Sequence, residues 1–174
     1  MENQPEPSDR IKLGPENLKT FVISHLNIIH AAKSHLVAKL PGIAGHVHYK
    51  DLREGILETV SDVEKQLARI EIIMALLDGE ITTAHCEGMI GMIDEAFKSI
   101  HYNTGRDHGL QDLSIAYYMQ QIESAETASF QILEMASVKL ADKQIKKMLK
   151  ESYNEARADR MLMLLIAAKY IVAR

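Results

Sequence analysis

The sequence has 174 residues, of which 47% are hydrophobic and 5% aromatic, and its formal net charge is −4. This length favours one domain with a substantial core. The mild negative charge predicts no nucleic-acid partner. The lone cysteine, Cys86, excludes an intramolecular disulfide and fits a reducing compartment.

The chain offers no segment suited to a membrane. The first ten residues contain no apolar stretch of the secretory type. The apolar run MLMLLIAA (161–168) is too short to span a bilayer. We therefore expect a cytoplasmic protein without a membrane partner.

The N-terminal part predicts a tail followed by a long helix. Residues 1–13 are polar and contain prolines, which predicts a flexible tail ahead of a helical domain over 14–174. The segment GPEN (14–17) is typical of a helix start. LPGIAG (40–45) carries the breakers that end the helix. Between them, apolar residues recur at helical spacing: Leu18, Val22, Leu26, Ile29, Leu36 and Leu40.

A second long helix begins near Asp51 and stops at DGE (78–80). Its apolar stripe consists of Leu52, Ile56, Val63, Leu67, Ile70, Met74 and Leu77. The remaining predicted elements are a short helix over 86–100, a loop over 101–109, and two long helices over about 110–139 and 142–170. No segment shows the alternating pattern of a strand.

This order of elements predicts an all-α fold. Four helices of about 20–30 residues form a bundle roughly 30–45 Å tall. The short helix between the second and third long helices is able to carry the chain back across the bundle. The result is the ferritin-like four-helix bundle with one long crossover. An up-down-up-down bundle with an extra helix is the alternative.

Ionisable residues interrupt the apolar stripes of all four long helices near mid-length. They are Lys33 on the first helix, Asp62 on the second, Glu123 and Glu126 on the next, and Glu155 and Asp159 on the last. Asp62 lies beside Thr59 and Gln66. A buried charge is costly unless it is paired or bound to a metal. These residues are therefore the candidate functional site.

Three interpretations of these residues remain open. Converging carboxylates can hold two metal ions, usually with histidines from Glu-x-x-His pairs, but the second and last long helices contain no such pair. His30, three residues before Lys33, could still reach the same cavity. Alternatively, Lys33 neutralises the carboxylates in a buried polar network without metal. The third interpretation is that some of these groups, above all Asp62 and Glu123, face solvent.

Five segments together resemble a known family. They are AAKSHLVAKLP (31–41), DVEKQLARIEIIMALLDGE (62–80), CEGMIGMIDEAFKSI (86–100), IESAETASF (122–130) and NEARADRML (154–162). In this order and spacing, over about residues 18–170, they resemble the YciE/YciF-like, DUF892-type ferritin-like bacterial proteins. The resemblance implies a ferritin-like fold and a role in stress responses.

The departures from the family pattern lie at the implied metal site. The family's first-helix glutamate falls on Lys33, and its second-helix glutamate falls on Asp62. Two family histidines fall on Thr59 and Ser124. The positions that match acidic residues are Glu123, Glu126, Glu155 and Asp159. The resemblance thus implies the fold more strongly than an active di-iron centre.

We predict a ferritin-like, stress-associated protein with a degenerate di-metal site, in which Lys33 replaces a ligand and pairs with Glu126 and with Glu155 or Asp159. This prediction needs no cofactor. The first alternative is an oxidase or peroxide-handling protein that binds iron or manganese. Its ligands would be Asp62, Glu123, Glu126, Glu155 and Asp159. A helical protein-interaction module is the second alternative, and whether the protein is an enzyme is left open.

The first two helices carry apolar residues outside their main stripes, including Ile28, Leu57 and Val60. Extra apolar surface of this kind often serves association through helix faces. We therefore expect a homodimer, while the sequence does not identify any other protein partner.

Overall fold

The computed structural model describes residues 13–82, 86–102 and 107–172. In the range 86–102, side chains are described for residues 86–98 and the backbone alone for the rest. The described residues form five helices: α1 (Pro15–Ala44), α2 (Lys50–Leu76), α3 (Glu87–Tyr102), α4 (His108–Ser137) and α5 (Lys143–Val172). They contain no strand, and none of their helices is long and apolar enough to cross a membrane. Apart from Leu13, the predicted tail lies outside the described residues, as do residues 103–106 of the predicted loop.

Local chemistry explains where the helices end. α1 continues through Pro41 to Ala44, so Gly45 marks its end rather than the proline. A proline this close to a C-terminus removes one helical hydrogen bond, while the buried Ile43 keeps the last turn packed. After α2, Asp78 adopts a left-handed conformation with φ 51°. The chain reverses there, and the Gly79 amide donates to the Met74 carbonyl at 2.8 Å.

α1 and α4 run antiparallel, as contacts at both ends show. Near the start of α2, the Tyr49 amide donates to Asp112 in the first turns of α4 at 2.7 Å. At the opposite end, Phe21 of α1 lines a groove with Leu133 of α4. α1 also packs against α2, to which a short turn connects it, so these two helices form an antiparallel hairpin.

α2 and α5 are also antiparallel. Asp51 at the start of α2 pairs with Lys169 at the end of α5, and Arg69 pairs with Glu155 further along. Because α1 is antiparallel to both α2 and α4, α2 and α4 run parallel to each other. α3 packs on α1 and α4 and carries the chain back along the bundle. The predicted ferritin-like arrangement with one crossover is confirmed, and the up-down-up-down alternative is not.

The core consists of two apolar clusters stacked along the bundle axis. One lies towards the α1–α2 turn and contains Leu36, Leu40, Val63, Met119, Ile122 and Met163 among its buried residues. The other lies towards the opposite end and contains Leu26, Ile29, Ile70, Phe130, Leu149 and Ala156. The two clusters are separated by about one turn on α1 and by about two turns on α2, α4 and α5. Polar residues buried around this boundary form the layer described below.

A buried carboxylate, Asp112, connects three parts of the fold. It accepts hydrogen bonds from the backbone amides of His48 at 3.1 Å and Tyr49 at 2.7 Å, and from the Tyr170 hydroxyl at 2.8 Å. These bonds fasten the α1–α2 connection and the end of α5 to the first turns of α4. The sequence analysis did not identify Asp112, although it lies one turn before Ile115 and Ala116 on the inward stripe.

Asp112→Asn is expected to lower the free energy of unfolding by about 1–3 kcal/mol, because the new amide group faces backbone donors that lose an acceptor. Tyr170→Phe removes one donor and leaves both backbone bonds intact, so it should cost less. Urea unfolding monitored by circular dichroism measures both. Equal losses for the two variants would contradict the role given to the backbone bonds.

Candidate functional site: a buried polar layer

Around the boundary between the two apolar clusters, and within about two helical turns of it, all four long helices bury polar side chains. They are Lys33 of α1, Thr59 and Gln66 of α2, Glu123 and Glu126 of α4, and Ser152 and Asp159 of α5. The helical period places each of them on an inward stripe, one turn from an apolar residue above and another below. We call this set the polar layer.

Lys33 and Glu126 form the central contact of the layer. The Lys33 ammonium donates to Glu126 Oε2, and both side chains are buried from solvent. The ammonium also lies 5.4 Å from the centre of the Phe130 ring, close enough for a cation–π interaction. A positive charge is therefore held at the centre of the core by one carboxylate and one aromatic face.

The other two buried carboxyls of the layer favour their protonated forms. Burial raises the pKa of Glu123 well above its ordinary value, and the nearby negative charge of Glu126 adds to the effect. Burial also raises the pKa of Asp159 to about 7, with a further contribution from Asp62 and an opposing one from Lys33. Burial therefore favours the neutral form of Glu123, whereas Asp159 titrates near pH 7.

Asp62 and Glu155 lie at the edge of the layer rather than within it. Asp62 accepts a hydrogen bond from Lys65 of its own helix at 2.7 Å. Glu155 receives two hydrogen bonds from Arg69 of α2, at 2.5 and 2.7 Å. The expected pairing of Lys33 with Glu155 is thus corrected, because the planar Arg69 guanidinium matches that carboxylate in a bidentate geometry.

Several buried atoms of the layer make no hydrogen bond within the described residues. The unpaired donor groups belong to Thr59, Gln66 and Ser152, and the unpaired acceptor oxygens belong to Gln66, Glu123, Glu126 and Asp159. Unpaired buried polar groups are costly, so their grouping in one layer marks this layer as the candidate functional site. Sequence analysis noted Gln66 only as a neighbour of Asp62, although it lies midway between Val63 and Ile70 of the stripe.

The histidines of α1 are directed to its outer surface. His30 Nε2 lies 3.4 Å from Glu71, and His35 Nε2 lies 2.7 Å from Asp94. Neither contributes to the polar layer, so the ligand role considered for His30 is not supported by its placement. Both are satisfied by carboxylates at the bundle surface.

The donor set of the layer does not fit a di-metal centre. Such centres in ferritin-like bundles use a glutamate from each of two helices and Glu-x-x-His pairs from the other two. Here an ammonium cation, which has no lone pair to offer, occupies the first-helix position and bonds a central carboxylate. Within the described ranges, no three His, Cys, Asp or Glu side chains are grouped closely enough to hold a metal ion.

Solved structures with this architecture come from several bacteria. The stress protein YciF of E. coli matches with a TM-score of 0.82 at 20% identity, over 90% of this chain and 98% of that one. The protein YcfI of Rhodopseudomonas palustris matches with a TM-score of 0.77 at 21% identity, over 90% and 97%. A protein of Xanthomonas campestris matches with a TM-score of 0.68 at 16% identity, over 90% and 94%. These likenesses show the fold.

The sequence itself also has a family match. No curated protein matches the chain. The family model described as a domain of unknown function, DUF892, matches residues 17–174. This range contains α2 to α5, all of α1 except its first two residues, and every residue of the polar layer, as the resemblance found in the sequence predicted. The chain belongs to the DUF892 family of YciF-like proteins.

Proposed function

We propose that this protein is a stress-associated, ferritin-like bacterial protein whose polar layer is a degenerate di-metal site, with Lys33 in the place of a ligand. The buried hydrogen bond between Lys33 and Glu126 carries the proposal. It supplies the positive charge that a bound cation would otherwise supply to the buried carboxyls. The stress role is supported by the likeness to the E. coli stress protein, and a cytoplasmic location by the sequence composition.

The layer carries out no reaction in this proposal. Lys33 is bound on one side by Glu126, and the bond holds α1 and α4 together at mid-height. Glu123 and Asp159 enclose the pair as weakly acidic neighbours. Such a buried network favours one register between the helices, because any sliding of α1 along α4 would bury Lys33 without its partner.

Metal content tests the proposal against an iron- or manganese-binding oxidase. Wild-type protein purified without chelators, exposed to Fe²⁺ or Mn²⁺ and desalted, should retain no stoichiometric metal that depends on Glu126. Elemental analysis of wild type and Glu126→Gln measures this. One or more equivalents in the wild type, lost in Glu126→Gln, would show that the lysine does not stand in for a metal.

Lys33→Glu extends the same experiment. It places a fourth carboxyl in the layer, so its melting temperature should fall without metal and recover in part with Mn²⁺, which accepts carboxylate oxygens. Lys33→Gln, which cannot supply a charged ligand, is the control. Equal recovery of both variants would remove the claim that position 33 is a former ligand position.

We also propose that the protein is a homodimer. Leu57 of α2 remains 49% exposed, and Ile28 of α1 lines an apolar groove with Phe21 and Ile132. Contact between two copies would cover part of this surface. Light scattering at high micromolar concentration should give twice the mass of one chain, and a monomer under those conditions would contradict the proposal.

A further inference from the structure

A second group of titratable side chains lies at the end of the bundle, away from the polar layer. A polar cavity of about 440 Å³ opens there between the α1–α2 connection and the start of α4. Its lining includes His46, His48, Arg53, His108 and Gln111. Three of the eight histidines of the chain therefore face one cavity, although 62 residues separate His46 from His108 in the sequence.

His48 is oriented by a buried carboxylate. Its ring Nδ1 lies 3.4 Å from Asp112 Oδ1, while its backbone amide donates to the same carboxylate. A proton on Nδ1 is thus favoured, which leaves the lone pair on Nε2. Asp112 is itself held by Tyr49 and Tyr170. A carboxylate that accepts from one nitrogen of an imidazole is the usual outer support of a histidine metal ligand, because it fixes the ring and raises its basicity.

His108 supplies a second imidazole beside the first. The ring centres of His48 and His108 are 3.8 Å apart, and the planes are inclined by 32°. Two nitrogens bound to one tetrahedral ion at 2.0–2.1 Å lie about 3.3–3.4 Å apart. Both rings belong to exposed residues, so small rotations of their side chains can direct a nitrogen from each towards one ion.

We propose that His48 and His108 form a surface site for a divalent transition-metal ion of the imidazole-binding class, Cu²⁺ or Zn²⁺. Because no three ligating side chains are grouped in the part of the chain that the structure describes, the two imidazoles share the ion with water. The site is exchangeable rather than structural. Asp112 acts as a positioning residue, since it touches His48 and lies behind it.

The charges around the cavity favour a cation over an anion. The Asp112 carboxylate lies directly behind His48. Asp107, which caps α4, adds a second negative charge next to His108. Arg53, the cationic side chain of the lining, donates to the Val47 carbonyl at 2.6 Å. An anion would have to approach two carboxylates, whereas a metal ion is attracted by both.

Titration calorimetry of the untagged full-length chain with Cu²⁺, Zn²⁺ and Mg²⁺ tests the site. Cu²⁺ should bind at one equivalent and more tightly than Zn²⁺, and Mg²⁺ should not bind there. His48→Gln and His108→Gln should each weaken binding by at least about tenfold. His25→Gln, which removes an exposed α1 histidine bonded to the Phe21 carbonyl, is the matched control.

Electron paramagnetic resonance of the Cu²⁺ complex provides a readout independent of affinity. Coupling to two imidazole nitrogens is expected in the wild type and to one in His48→Gln or His108→Gln. Unchanged affinity and spectra in both variants would overturn the site, as would an equal loss in His25→Gln.

Asp112→Asn should weaken Zn²⁺ binding and change the His48 tautomer detected by ¹⁵N NMR, which a purely structural role of Asp112 would not do. Glu126→Gln should leave Cu²⁺ binding unchanged, which separates this site from the polar layer.

Discussion

Lys33→Met is expected to lower the free energy of unfolding by about 3–5 kcal/mol, although methionine adds apolar surface to the core. The reason is that the substitution leaves its buried partner, Glu126, without a counter-ion. Glu126 is wholly buried, and its second oxygen, Oε1, has no hydrogen bond within the described residues. Without Lys33, this carboxylate must stay charged without a counter-ion or take up a proton, and both outcomes are costly.

A double-mutant cycle with Glu126→Gln isolates the contact. Denaturant unfolding of wild type, Lys33→Met, Glu126→Gln and the double variant should show coupling of at least about 0.5 kcal/mol. The control is Lys39→Met, on the same helix, where the lysine pairs with Asp94 and both side chains are 35% exposed. Lys39→Met should lower the free energy of unfolding by no more than about 1 kcal/mol. Additive effects of Lys33→Met and Glu126→Gln would refute the pairing.

The second large effect is a dependence of stability on pH that arises from Asp159. Its pKa is about 7 in the folded protein against an ordinary value of 3.8. Between these values the folded chain keeps a proton that the unfolded chain releases. The contribution of Asp159 to the free energy of unfolding is therefore greatest below pH 4. It falls as the pH rises from about 4 to 7 and is constant above pH 7. Each pKa unit corresponds to about 1.4 kcal/mol, so a difference of about 3 units makes the fall at most about 4 kcal/mol.

Asp159→Asn removes this dependence, because the amide cannot ionise. The variant should have stability close to wild type at pH 4 and exceed it by at most about 4 kcal/mol at pH 8. Thermal and urea unfolding between pH 4 and pH 8 measure the difference. Asp51→Asn is the control: hydrogen bonds from Lys169 and Tyr49 lower the pKa of Asp51 below its ordinary value, so the substitution should not change the slope in this window. A constant difference between Asp159→Asn and wild type at all pH values would contradict the assignment.

The sequence by itself determined the fold and most of the residues that the core buries. Apolar residues that recur every three or four positions specify a helix and the face that it buries. This is why the helices and the crossover were predictable. The same period placed Lys33, Glu123, Glu126 and Asp159 on inward stripes, and the structure buries all four. Proline was less informative, because α1 continues through Pro41.

Only the tertiary structure decided which charges pair. Helical periodicity gives the face of a residue but not its height relative to a neighbouring helix, and long side chains reach across the boundary between faces. Arg69 lies outside the inward stripe of α2 and still binds Glu155 of α5. Asp112 gains its three partners from segments 58 to 64 positions away. Such contacts depend on how the helices are docked, which short-range sequence patterns do not encode.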